Sequence, residues 1–178
     1  MKIRIGGHLV GVSGLWKCDS WIINPLGAGG AARAIGVELA LAGAKEIIVI
    51  NRDAEKGLDL SNHIGYNTAA HSSFYPWNSQ IQIREETDVL VNATTIGLFP
   101  DENVPAMDWE GIKEGMTVCD VIPNPPDTGF LQQARASGAQ TIDGLGMLVH
   151  QGTIGFTWWT GETAPVGEMK EALRGVFG

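Results

Sequence analysis

Residues 27–32 read GAGGAA, set between the apolar run WIIN at 21–24 and a stretch, 30–42, whose apolar residues recur at helical spacing. The pattern fits G-x-G-x-x-[GA], a turn that joins a strand to a helix and brings backbone N–H groups up to a pyrophosphate. Gly27 is expected to make the tight turn, Gly29 to leave room for the phosphates, and Ala32 to let the helix lie close on the sheet. Ala28, Gly30 and Ala31 complete the loop. The unpaired N–H groups and the positive end of the helix dipole would then face the anion. A glycine-rich turn can also be purely structural, so its surroundings decide. Here a second strand-like run, EIIVIN at 46–51, ends about 20 residues on, as a dinucleotide-binding unit requires.

The same alternation continues down the chain. Apolar, β-rich runs recur at DVLVNAT (88–94), MTVCDVI (116–122) and AQTIDG (139–144), with a weaker candidate at YNTAAH (66–71). Helical spacing appears at 127–137 and in a more polar form at 53–63, and Gly43 and Gly138 follow the two apolar helices where a C-terminal glycine belongs. Segment 71–87 is expected to be loop with one turn of helix. After Gly144, LGMLVHQGTIGFTWWTG is apolar nearly all round and predicts a helix pressed into the core or against a partner, and APVGEMKEALRGVFG predicts an amphipathic helix from near Pro165. Strands alternating with helices imply an α/β protein: a doubly wound, Rossmann-like, mostly parallel sheet with helices on both faces. No repeat or linker interrupts the chain. A single dinucleotide-binding domain is therefore expected over 21–178, preceded by a divergent segment at 1–20.

Composition narrows the partners. The 178 residues are 44% hydrophobic and 18% charged, with a net charge of −8, so nucleic acid and anionic membrane would be repelled at long range. No apolar run reaches the length of a membrane span, which needs about 18 residues or more, and the start lacks a cleavable signal pattern. Cys18 and Cys119 form no CxxC pair, and a reducing cytoplasm is expected. His8, His63, His71 and His150 show no metal-ligand spacing, so no metal is expected.

The second strand ends in NRDAEK. Where an NAD enzyme would offer an acid to the ribose hydroxyl, Asn51 stands instead, followed by Arg52. A guanidinium there can grip a 2′-phosphate, and Lys56 can add charge one helical turn on. Asp53 would repel a phosphate and could accept from ribose hydroxyls. NADP is expected ahead of NAD, NAD stays open, and a solvated charge cluster at a helix start is the plainer alternative.

These residues, with VNATTIGL at 91–98, DVIPNP at 120–125 and DGLGMLVHQG at 143–152, resemble the cofactor-binding domain of the shikimate and quinate dehydrogenase family over about residues 26–162. The resemblance implies that Gly27, Ala28, Gly29, Gly30 and Ala31 take the pyrophosphate, that Asn51, Arg52, Asp53 and Lys56 serve the adenosine end, and that Thr94 and Thr95 lie along the dinucleotide. It implies that Val121, Gly144 and Met147 wall the nicotinamide, core packing being an equal reading for Val121 and Met147. Gln151 would touch the hydroxyls of a shikimate-like substrate.

The resemblance also implies an acid/base lysine and aspartate, which the family carries in a substrate domain ahead of the glycine loop. The stretch LVGVSGLW at 9–16 offers Ser13, Gly14 and Leu15 where the family's aspartate string stands, and Pro123 replaces a tyrosine. Lys17 and Asp19 are too poorly placed to stand in for the pair, so no catalytic residue is assigned. An oxidoreductase that needs a partner domain, a dinucleotide-binding module without chemistry, and a self-associating protein all remain open. A homodimer is expected, because apolar surface near GFTWWTG would be left bare.

Overall fold

The computed structural model describes residues 20–177 and the strand backbones β1 (Lys2–Ile5) and β2 (His8–Gly11), which pair antiparallel. Leu15, Lys17, Cys18 and Asp19, on which the reading of the amino-terminal segment turns, lie outside the described residues. The domain core begins with β3 (Ile22–Leu26), then runs α1 (Gly30–Leu41), β4 (Glu46–Asn51), α2 (Ala54–Asn67), β5 (His71–Pro76) and β6 (Val89–Asn92). It continues with β7 (Thr117–Asp120), α3 (Gly129–Ala136), β8 (Gln140–Ile142), α4 (Leu145–Thr160) and α5 (Val166–Phe177).

Six strands form one parallel sheet in the order β5-β4-β3-β6-β7-β8. Side chains on a strand alternate between faces. Ile47 and Val49 therefore join Ile23, Val89 and Val91 under α1 and α2, while Ile48 and Ile50 join Ile22, Leu26, Leu90 and Val118 under α3. Leu39, Leu60 and Ile64 close the first face, and Phe130, Leu131 and Ala134 the second. Both faces are covered, as a parallel sheet requires, and the doubly wound architecture expected from the sequence is the one observed.

One local expectation is corrected. The strand expected at 66–71 is not there: α2 runs on to Asn67, and the strand lies at His71–Pro76, inside a segment expected to be loop. As the edge strand of the sheet, β5 has one neighbour and carries polar and exposed residues, so it lacks the apolar signature of a central strand. Of the two settings expected for the helix after Gly144, the core takes only its first turns. Only Leu145 and Val149 are buried, while Trp158 and Trp159 near its far end are 78% and 88% exposed.

Pro25 sits inside the central strand β3, where its missing N–H must be absorbed. The ladder to β4 pairs Ile22, Ile23 and Leu26 and skips Asn24 and Pro25, whereas the ladder to β6 runs unbroken from Ile23 to Leu26. The gap is closed one residue past the strand, where the Gly27 N–H donates to the Ile50 carbonyl at 2.8 Å.

α4 is docked by the absence of a side chain at Gly144. A Cβ there would lie 2.4 Å from the Ile122 carbonyl oxygen and 2.6 Å from that of Val121, backbone atoms with little freedom to retreat. Gly144→Ala is expected to cost about 1–3 kcal/mol of stability, the usual range for overpacking. Urea unfolding checks this; an unchanged midpoint would show that the helix start can shift freely.

Candidate functional site

In a sheet of this kind ligands collect at the carboxyl edge, where successive connections leave a strand in opposite directions. That switch point falls between β3 and β6, since β4 and β5 build out on one side of β3 and β6, β7 and β8 on the other. Gly27 stands there with φ +104°, a conformation that L side chains rarely adopt, and a Cβ on it would meet the Ala93 carbonyl oxygen at 2.9 Å and Thr94 Cγ2 at 3.3 Å. The loops after β3 and β6 are therefore in direct contact.

The helix that follows opens at the same place. α1 has no side-chain cap at Gly29 and no acidic residue in its first turn, so among the described residues no carboxylate of its own turn competes for its leading N–H groups. A Cβ built on Gly29 or Gly30 would meet nothing within 4 Å, which leaves open space over the turn. Ala32 is fully buried against the sheet. An open, uncapped, positively polarised turn fits a pyrophosphate.

Next along the edge, at the end of β4, Asn51, Arg52, Asp53 and Lys56 are brought together. Asn51 Nδ2 donates to the Asp53 carbonyl at 2.8 Å. Asp53 is the N-cap of α2: its carboxylate accepts the Lys56 N–H at 3.1 Å and pairs with the Lys56 ammonium at 3.4 Å. The Lys56 backbone N–H, with that ammonium, holds the Asp53 carboxyl below its ordinary value. Arg52 is exposed and has no carboxylate partner among the described residues; its guanidinium lies over the indole of Trp77.

On the other side of the switch point, β6 and β7 end in a buried polar network. Asp120 accepts from Thr128 Oγ1 at 2.7 Å, from the Ile122 N–H at 3.0 Å, and from Asn92 Nδ2 at 3.2 Å to each oxygen. Asn92 Oδ1 in turn accepts from Thr94 Oγ1 at 2.7 Å and from the Thr94 N–H at 3.2 Å, and Thr94 Oγ1 accepts the Ile96 N–H at 3.1 Å. Burial pushes the Asp120 carboxyl above its ordinary value against the pull of these donors. The Thr94 hydroxyl is thus engaged inside the protein, whereas Thr95 is exposed.

Val121 follows Asp120, half-buried, with its N–H on the Asn92 carbonyl at 3.1 Å. Gly144 lies under the Val121 and Ile122 carbonyls, so the start of α4 meets the end of β7. Met147 and Gln151 are four residues apart on α4 and share a face; Met147 is half-buried and Gln151 exposed. His150 beside them has its basicity lowered by partial burial and then by Lys170.

The fold is shared with known proteins. Residues 144–174 match the model of the shikimate 5′-dehydrogenase C-terminal domain. A shikimate dehydrogenase (NADP(+)) of Desulforamulus reducens is 40% identical over 152 residues, covering 84% of this chain and 52% of that protein. The crystal structure of a shikimate dehydrogenase in complex with NADP+ matches with a TM-score of 0.80 at 35% identity, over 90% of this chain and 56% of the other. The chain belongs to the shikimate and quinate dehydrogenase family.

The part it represents is that family's C-terminal domain, and it spans about half the length of the curated relatives it matches, 52% in the first case. The fold is also shared by a protein whose name gives a different substrate. The ligand-free 5-ketofructose reductase of Gluconobacter sp. strain CHM43 matches with a TM-score of 0.83 at 44% identity, over 90% of this chain and 57% of that one.

Sequence reasoning passed over Asn92, Asp120, Thr128 and Trp77. The first three lie within the quoted motifs or just beyond them, in VNATT and in DVIPNPPDT, and the signal available was a polar residue at the carboxyl end of each of two apolar strands. Asp120→Asn would turn an Nδ2 donor toward donors already in place, and is expected to cost about 1–3 kcal/mol, the penalty for a buried unsatisfied polar group. Thermal or urea unfolding tests this. Stability within a few tenths of a kcal/mol of the parent would mean that the network is dispensable.

Proposed function

We propose that this chain is an NADP-binding domain that serves hydride transfer between the cofactor and a polyhydroxylated secondary alcohol or its ketone, with shikimate and 3-dehydroshikimate as the pair. The observation that carries the reading is the open, uncapped glycine turn at the switch point, with an arginine at the end of the neighbouring strand that has no carboxylate partner among the described residues.

In this reading the first turn of α1, with Gly27, Ala28, Gly29, Gly30 and Ala31, binds the pyrophosphate by its N–H groups. Arg52 and Lys56 take the 2′-phosphate, Lys56 also screens the Asp53 charge, and Asn51 holds the turn between them. Thr95 lies along the dinucleotide, and Thr94, held by Asn92, shapes the wall that it passes. Val121, Gly144 and Met147 exclude water from the nicotinamide side, and Gln151 meets substrate hydroxyls. Bound NADP would supply the hydride acceptor or donor. The alcohol proton needs an acid/base group within hydrogen-bond reach. Asp120 is committed to four donor contacts inside the protein. We therefore propose that the domain binds cofactor but turns over little substrate alone, with the acid/base pair supplied from a substrate domain.

A second substrate is favoured by one comparison: the 5-ketofructose reductase matches at higher identity than the NADP+-bound shikimate dehydrogenase, 44% against 35%. Turnover assays with NADP should therefore use both shikimate and 5-ketofructose, with and without an added family substrate domain. We further propose a cytoplasmic homodimer through the α4–α5 face, where Trp158, Trp159 and Val176 are exposed. Light scattering of concentrated protein should give twice the chain mass, and a strictly monomeric mass would remove that proposal.

Calorimetry with NADP and NAD side by side tests the cofactor reading. NADP should bind more tightly and, at a hundred times its dissociation constant, stabilise the fold by about 2.7 kcal/mol. Arg52→Gln should weaken NADP about tenfold, a modest value for an exposed charge-assisted contact, and leave NAD within about twofold. No binding of either nucleotide at about 1 mM would overturn the reading.

A further inference from the structure

Trp77 stands just past the end of β5, where its backbone N–H donates to the Asn51 carbonyl at 2.9 Å. That bond brings its indole beside Arg52, the first residue after β4. The indole is held on two counts. It is only 9% exposed, in the same cluster as Ile50 and Ile81, and its Nε1 donates to the Ser79 carbonyl at 3.0 Å. The guanidinium carbon of Arg52 lies 5.4 Å from the ring centroid, within range of a cation–π contact.

Arg33, Arg84 and Arg135 each lie against a carboxylate: Asp59 at 2.6 Å, Glu46 at 3.1 Å and Asp127 at 3.0 Å. Arg52 has no such partner among the described residues, and the acid next to it, Asp53, is engaged by Lys56. The difference matters chemically. An arginine on a carboxylate commits its N–H fork, whereas one lying on an aromatic face is held through its π surface and keeps the fork available. A long side chain also loses rotamer freedom when it binds a ligand, and prior ordering reduces that loss.

We propose that Trp77 is a positioning residue for cofactor selectivity: it holds the Arg52 guanidinium with its donors free for the phosphate monoester that distinguishes NADP from NAD. The inference rests on the NADP reading above and deepens it. Trp77 acts through Arg52 and not on the phosphate itself. NAD has no 2′-phosphate and gains little from an ordered guanidinium, so the signature is a change in the ratio of the two affinities. A general loosening of the fold would lower both together.

The test measures dissociation constants for NADP and NAD by calorimetry on the parent, Trp77→Phe, Trp77→Leu, Arg52→Gln and the Trp77→Leu/Arg52→Gln double variant, with melting temperatures of the free proteins alongside. Trp77→Leu should weaken NADP about three- to tenfold and NAD less than twofold, with Trp77→Phe between it and the parent. In the Arg52→Gln background the leucine substitution should leave the NADP to NAD ratio unchanged, because the group it positions is gone. Equal loss for both nucleotides, no loss for either, or an undiminished effect without Arg52 would each overturn the role of Trp77. If Trp77→Leu does not fold, the Phe variant and its double with Arg52→Gln decide by the same ratio. A parent protein that binds NADP no better than NAD would instead overturn the NADP reading, and the role of Trp77 with it.

Discussion

The Gly27 N–H donates to the Ile50 carbonyl while the Ala93 carbonyl stands where a Cβ on Gly27 would meet it at 2.9 Å, and this close backbone approach ties three strand ends together. It is possible only with a positive φ and no Cβ. One consequence is that β3 stays in register with β4 despite the proline two residues earlier. Another is that α1 starts at the switch point with its N-terminus uncapped and facing outward. The space over Gly29 and Gly30 is what remains when the turn is made this tightly.

The polar network on the far side of the switch point does complementary work. A buried carboxylate is costly unless its hydrogen bonds are satisfied, and Asp120 is satisfied by donors from β6, from the start of α3 and from its own following turn. Through Asn92 it also fixes Thr94, whose methyl group a Cβ on Gly27 would meet at 3.3 Å. The floor of the crevice is thus one connected structure from α3 to the glycine loop. The start of α4 is set against its rim by Gly144.

Much of this was legible because its signals are local. The glycine turn, the acid missing at Asn51 and the arginine after it follow from residue types at fixed spacing, and the helix ends at Gly43 and Gly138 follow from positive φ at both glycines. The two-sided burial of β4 and β6 shows in EIIVIN and DVLVN as unbroken apolar runs. What was not legible depends on tertiary position. HSSFYP forms a strand because β4 offers it a partner edge, and its own composition gives little sign of that. The apolar helix after Gly144 leaves the core after its first turns, which no periodicity could reveal. The Arg52–Trp77 pair joins residues 25 positions apart that meet only because β4 and β5 are parallel neighbours.

In the proposed reading one crevice, running from the end of β4 across the Gly27 turn to the end of β6, receives the dinucleotide. Amide hydrogen exchange with and without saturating NADP tests it most directly. Slowed exchange is expected in the first turn of α1 and in segments 51–56 and 93–97, with the N-terminal part of α4 following. Protection absent from the α1 turn, or centred instead on the hollow between α3 and α5 lined by Arg135 and Arg174, would contradict it.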